Sequence, residues 1–290
     1  MVDASGSPRR RGVRYSGWVW LTLLGLALVF GSLAFYQGLL AISTGGSHKS
    51  TLLIDSAYAV PAILITGLTL TFSGLTRVVQ DVSGSWGNSS QTLRTMGMVL
   101  IEKPYLLVFR ASSIVYGLIF ALVSSTLVYQ PGIVFTTVYG VNVPSVAEVM
   151  CCGPIGQMPQ LVLYLTQNLA LLLVPINLVL MFTVSWLVGL NTAVATYAYK
   201  NIPKSASIRW IGGIGSTIGL FTACPACASF FFFTTVGLTG ALSLAASLAS
   251  LQGFFIVIGV TILTVTPVLT SNRMLNQQSC ALPKAVDNNL

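Results

Sequence analysis

From Tyr15 to His48 the chain meets no charged residue, and from Trp210 to Asn272 it runs sixty-three residues without one. Apolar stretches of this length exceed the roughly 20 residues a helix needs to cross about 30 Å of hydrocarbon. Nor is there enough polar side chain to face water, since charged residues make up 7% of the 290 positions against about 25% in a soluble domain. The expected fold is therefore all-α, a polytopic helical protein forming a single integral membrane domain over residues 1–290. Most soluble enzyme classes drop out. The single histidine also excludes a haem held by two histidines of this chain.

Six spans are expected, at about 18–41, 52–75, 104–129, 168–199, 207–235 and 251–269, with an outer loop at 130–167. The basic start (Arg9, Arg10, Arg11, Arg14) resembles that of a signal peptide, but the apolar run behind it is too long for one. The Gly/Ser-rich stretch Thr76 to Lys103 reads as the clearest hydrophilic loop, and Pro104 suits the first turn of the third span. Gln130 to Pro159, with four prolines and four glycines, reads as an interfacial loop with a short hairpin in the alternating stretch Ile133 to Val143. Gln160 to Tyr199 is too long for one upright helix and short for two. It reads as an interfacial turn followed by a tilted span, kinked at Pro175.

With both termini inside, this arrangement leaves thirteen of the fourteen Lys and Arg on the inner side and only Lys49 outside. Basic residues are retained on the cytoplasmic side, so the count supports a multi-pass protein of the cell membrane in that orientation. The net charge of +8 then follows from topology and an inner rim facing anionic lipid, and calls for no nucleic-acid partner. Inside the spans, Asp55 and Arg110 lie near opposite edges, which suits interfacial anchoring. No series of buried carboxylates suggests an ion pathway, which weakens a carrier of small solutes or metals. Gly215 and Gly219 have the GxxxG spacing that lets helices approach closely.

The five cysteines hold the most chemical information. Cys224 and Cys227 enclose Pro225 and Ala226, Cys151 and Cys152 are adjacent in the outer loop, and Cys280 lies in the polar tail. Fifteen residues separate Arg209 from Cys224, or about 22 Å of helix, so the expected topology gathers four thiols near the outer face. One helical turn places both sulfurs of a Cys-x-x-Cys on one side. The intervening proline opens the helix, and a helix N-terminus lowers a thiol pKa toward the reactive thiolate. Cys224 and Cys227 are thus candidates for a redox-active dithiol, with Cys151 and Cys152 as an exchange pair, linked to a quinone or an extracytoplasmic thiol protein. The same sulfurs can hold a soft metal ion, or form static cross-links in an accessory subunit of a membrane respiratory or oxidase complex.

From Leu178 onward the sequence resembles an uncharacterised group of archaeal polytopic membrane proteins. The likeness is carried by Val188, Gly189, Leu190, Asn191, Tyr199 and Lys200, by the glycines from Gly212 to Gly219, by Cys224 to Cys227, and by the small-residue segment before the last span. It implies the polytopic architecture and the importance of the cysteines, without implying a reaction. Quinone-linked disulfide-forming membrane oxidases are similar only in combining a membrane Cys-x-x-Cys with loop cysteines.

Overall fold

The computed structural model describes residues 15–43, 51–85, 91–149, 159–201 and 252–281. These residues are mostly helical. Among the described residues, helices α1 (Tyr15–Ser43), α2 (Thr51–Ser85), α4 (Lys103–Val123) and α6 (Pro175–Asn201) contain four stretches long and apolar enough to cross a membrane. The last described helix, α7 (Gln252–Ala281), includes a shorter apolar stretch, Ile256–Asn272. The expected fifth span at 207–235, the glycine motif within it and the small-residue segment lie outside the described residues.

Close approach of backbones builds the bundle. Helices α1 and α2 form an antiparallel hairpin in which Gly25 faces Gly67 and Thr71, while Gly74 faces Thr22. A Cβ on Gly25 would stand 2.7 Å from the Gly67 carbonyl and collide with the Thr71 hydroxyl, so only hydrogen fits there. At one end of the hairpin the Arg77 guanidinium lies 5.6 Å from the centre of the Trp18 ring, a cation–π contact. Helix α2 runs in the same sense as α6: Leu64 and Leu68 meet Leu178, Phe72 stacks on Phe182, and Trp186 donates its indole N–H to Thr76 Oγ1 at 3.0 Å.

Helices α4 and α6 cross antiparallel, with Tyr105 against Tyr197 at one end and Gly117 against Ser185 toward the other. Helix α7 joins them through Leu263, whose side chain lies among Val184, Leu187 and Val188. Its carbonyl accepts a hydrogen bond from Asn191 Nδ2, farther along α6. Side chains lean toward a helix's N-terminus and carbonyls point toward its C-terminus, so α6 and α7 run in the same sense. Asn201 and Gln252 consequently lie at opposite ends of the bundle.

Three expectations need correction. The stretch 76–103 is not a plain hydrophilic loop: α2 continues to Ser85, and α3 (Gln91–Ile101) buries Met96, Val99 and Leu100 against Tyr105, Phe109 and Val194. The spacing 96, 99, 100 makes one apolar stripe, and Gln80 Nε2 donates to the Leu100 carbonyl at 2.7 Å near the helix end.

The second correction concerns the all-α class. Between α4 and α6 stands a four-stranded antiparallel sheet of order β1-β4-β3-β2, made of β1 (Leu127–Tyr129), β2 (Ser145–Val149), β3 (Gln160–Tyr164) and β4 (Leu169–Leu173). The alternating stretch at 133–143 contains the short helix α5 (Phe135–Val138) instead of a hairpin. Every second residue of β3 and β4 faces the helices: Leu161 and Leu173 are buried with Val29, Leu64 and Leu178. On the other face Phe135 packs edge-on against Tyr164. Asn168 clips the module together, its side-chain amide donating to the carbonyls of Gln130 and Ile133 at 3.1 and 2.8 Å.

The third correction follows from the second. Residues 127–129 and 169–173 pair as β1 and β4, so α4 ends at Val123 and not at 129, and α6 starts at Pro175 and not at 168. Pro175 starts the helix and does not kink it, as expected of a residue whose missing N–H costs nothing in a first turn.

Candidate functional site

Cys151, Cys152, Cys224 and Cys227 all lie outside the described residues. Cys280 falls in the last turn of α7. For the first pair, the structure gives the points where its loop is attached. The chain leaves the sheet at Val149 and re-enters at a buried Pro159, and Val149 pairs with Gln160 while Leu161 pairs with Leu173, two residues before α6 begins. The described chain on either side of 150–158 thus ends at the corner where sheet and helices meet. For the second pair, the flanking described residues are Asn201 and Gln252, at opposite ends of the bundle.

The described Lys and Arg are distributed unevenly. Arg94 and Lys103 lie on or beside α3, Lys200 sits over the Tyr105 ring at 5.5 Å, and Arg77 and Arg273 lie in the later parts of α2 and α7. Arg110 is exposed on α4, nearer its start than its end. Asp55 lies in the second turn of α2. Among the described residues no Asp, Glu, Lys, Arg or His side chain is buried, and no group of three His, Cys, Asp or Glu could hold a metal.

Among the described residues the buried side-chain polarity consists of hydroxyls and one amide. Ser113 of α4 lies against Gly189 of α6, and Ser185 of α6 lies against Gly117 of α4, where a Cβ would be 3.2 Å from its hydroxyl oxygen. Each helix therefore contributes a Ser-x-x-x-Gly, and the antiparallel crossing sets each serine over the other's glycine. Both hydroxyls are buried without a hydrogen-bond partner among the described residues. Asn191 is buried and divides its amide hydrogens between Leu187 and Leu263 carbonyls, each at 2.8 Å. These groups can fix helices against each other, and none of them supplies acid–base chemistry. Sequence reasoning missed the Ser-x-x-x-Gly pair, although its spacing in two apolar spans was a readable signal.

The fold points to a helical membrane protein, by the length and apolar character of four helices. Set against protein-family models, curated proteins and solved structures, the chain matches none.

Proposed function

We propose that this is a six-span membrane protein, with the α3 end of the bundle and both termini cytoplasmic, that performs thiol–disulfide exchange on the side of the sheet. The observation that carries the reading is the shared direction of α6 and α7. In this reading the chain between Asn201, at the α3 end, and Gln252, at the sheet end, makes one crossing in addition to those of α1, α2, α4, α6 and α7. That crossing bears Cys224 and Cys227 and arrives on the side where the loop bearing Cys151 and Cys152 is attached. The gathering of described Lys and Arg away from the sheet supports the orientation, and the archaeal likeness from Leu178 onward belongs to the same proposal.

In the proposed cycle a quinone takes two electrons and two protons from the Cys224–Cys227 dithiol, leaving a disulfide and a quinol. A thiolate of the Cys151–Cys152 pair attacks that disulfide. The disulfide so formed is then exchanged with the dithiol of an extracytoplasmic protein, which ends oxidised while this chain is reduced again.

The test is a redox titration of the purified protein with a thiol-reactive mass label, using Cys224→Ser and Cys152→Ser as controls. A reversible two-electron transition near the potentials of exchange enzymes, lost in both variants, supports the cycle. Bonds that resist reduction below about −300 mV mark static cross-links and overturn it.

A further inference from the structure

One face of the sheet extends past the helices it packs on. Strand register places Tyr129 opposite Leu169 and Val146 opposite Leu163, hence on the face that buries Leu161 and Leu173 against α1, α2 and α6. Tyr129 and Val146 stand on the two outermost strands, where the helices no longer cover that face. They remain 64% and 44% exposed. The helical residues under the sheet, Val29 and Leu64, belong to stretches long and apolar enough to cross a bilayer, so the uncovered parts of the face continue the surface those helices present to lipid.

Charge points the same way. From Ala111 to Tyr199 the only charged residue is Glu148, whereas a module of this size standing in water would carry charge at about one residue in four. Depth is limited by the backbone. Strands β1 and β2 stand at the two edges of the sheet with no further strand beside them among the described residues, and open sheet edges do not occur in the hydrocarbon itself; a carboxylate at position 148 sets the same limit.

We propose that the sheet is a platform seated in the headgroup layer of the membrane, with Tyr129 and Val146 resting on phospholipid at the boundary with the acyl chains. A tyrosine suits that level, having an apolar ring and a hydroxyl that reaches water. The proposal rests on the membrane reading and is independent of the thiol chemistry.

The experiment places nitroxide labels on the full chain in phosphatidylcholine nanodiscs, with the five native cysteines replaced by serine. Tyr129→Cys and Val146→Cys are compared with Leu118→Cys, exposed on α4, and Thr137→Cys, exposed on α5. Collision with oxygen relative to a water-soluble nickel chelate reports depth. The expected ratio at both sheet positions lies between that of Leu118→Cys and that of Thr137→Cys. A ratio equal to that of Thr137→Cys puts the sheet in water and overturns the proposal. Exclusion of both reagents also overturns it, because a second copy or another protein then covers the face. If Leu118→Cys itself meets the nickel chelate freely, the membrane reading has failed, which is a separate result. In the chain with its own cysteines, Tyr129→Trp gives a second measurement: the added emission is lost on substituting brominated lipid if the proposal holds, and is unchanged if it does not.

Discussion

The amide of Asn191 donates to the carbonyl of Leu263, the carbonyl that Pro267, four residues on, leaves without its helical N–H. An interhelical hydrogen bond thereby replaces a missing intrahelical one. Both residues are buried, where an unmade hydrogen bond is costly.

Asn191→Leu is accordingly expected to destabilise the protein by about 1–3 kcal/mol, the penalty of a buried unsatisfied polar group. Pro267→Ala restores a donor to Leu263, so the same asparagine substitution does less harm in that background. Thermal or denaturant unfolding in detergent of the two single variants and the double variant measures the coupling; strictly additive effects would show that the two positions do not communicate.

The two halves of the serine–glycine crossing differ in tolerance. A Cβ at Gly189 collides with Ser113 Oγ and stands 2.8 Å from the Phe109 carbonyl, which belongs to the backbone. Gly189→Ala is expected to cost about 1–3 kcal/mol, as overpacking does, and Ser113→Ala does not rescue it. At Gly117 the nearest atom is the Ser185 hydroxyl at 3.2 Å. Gly117→Ala should be mild, and neutral once Ser185 is alanine. Unfolding midpoints of the four variants decide.

Within the first hairpin, Gly25→Ala should separate α1 from α2, because the obstructing Gly67 carbonyl and Thr71 amide cannot rotate away. Gly31 has open space around its missing Cβ, so Gly31→Ala is neutral or stabilising by up to about 1 kcal/mol through helix propensity. Limited proteolysis in detergent should cut the Gly25→Ala protein sooner and leave Gly31→Ala unchanged.

Topology has its own prediction. In a chain without native cysteines, Lys200→Cys and Leu165→Cys, both at exposed positions, should react with a membrane-impermeant thiol reagent from opposite sides, the former only after the cells are opened. Labelling of both in intact cells would refute the orientation.

The elements that could be read in the sequence are those whose signal is local. The third span, placed at Pro104, begins at Lys103 in the structure, and the first needed only its unbroken apolar length. Helix α3 was hidden because its stripe of Met96, Val99 and Leu100 is short and follows a run of Gly and Ser. The sheet was hidden for a different reason. In Gln160–Tyr164 and Leu169–Leu173 nearly every residue is apolar, so alternation between faces leaves no period of two to detect, and what makes them strands is pairing with segments up to about forty residues away. Of the candidate site, the sequence shows the cysteine spacing, and the structure adds where the flanking chain begins and ends. The role of Asn191 was not legible, since it depends on a proline in another helix.

The serine–glycine crossing works as a keyed joint. Sliding α4 by one turn along α6 would bring Ser113 to Ser185 in one direction and Gly117 to Gly189 in the other, crowding the seam or leaving it hollow. The joint thus admits a single height. Because α4 leads into β1 and α6 leads out of β4, that same height levels the two ends from which the sheet is hung.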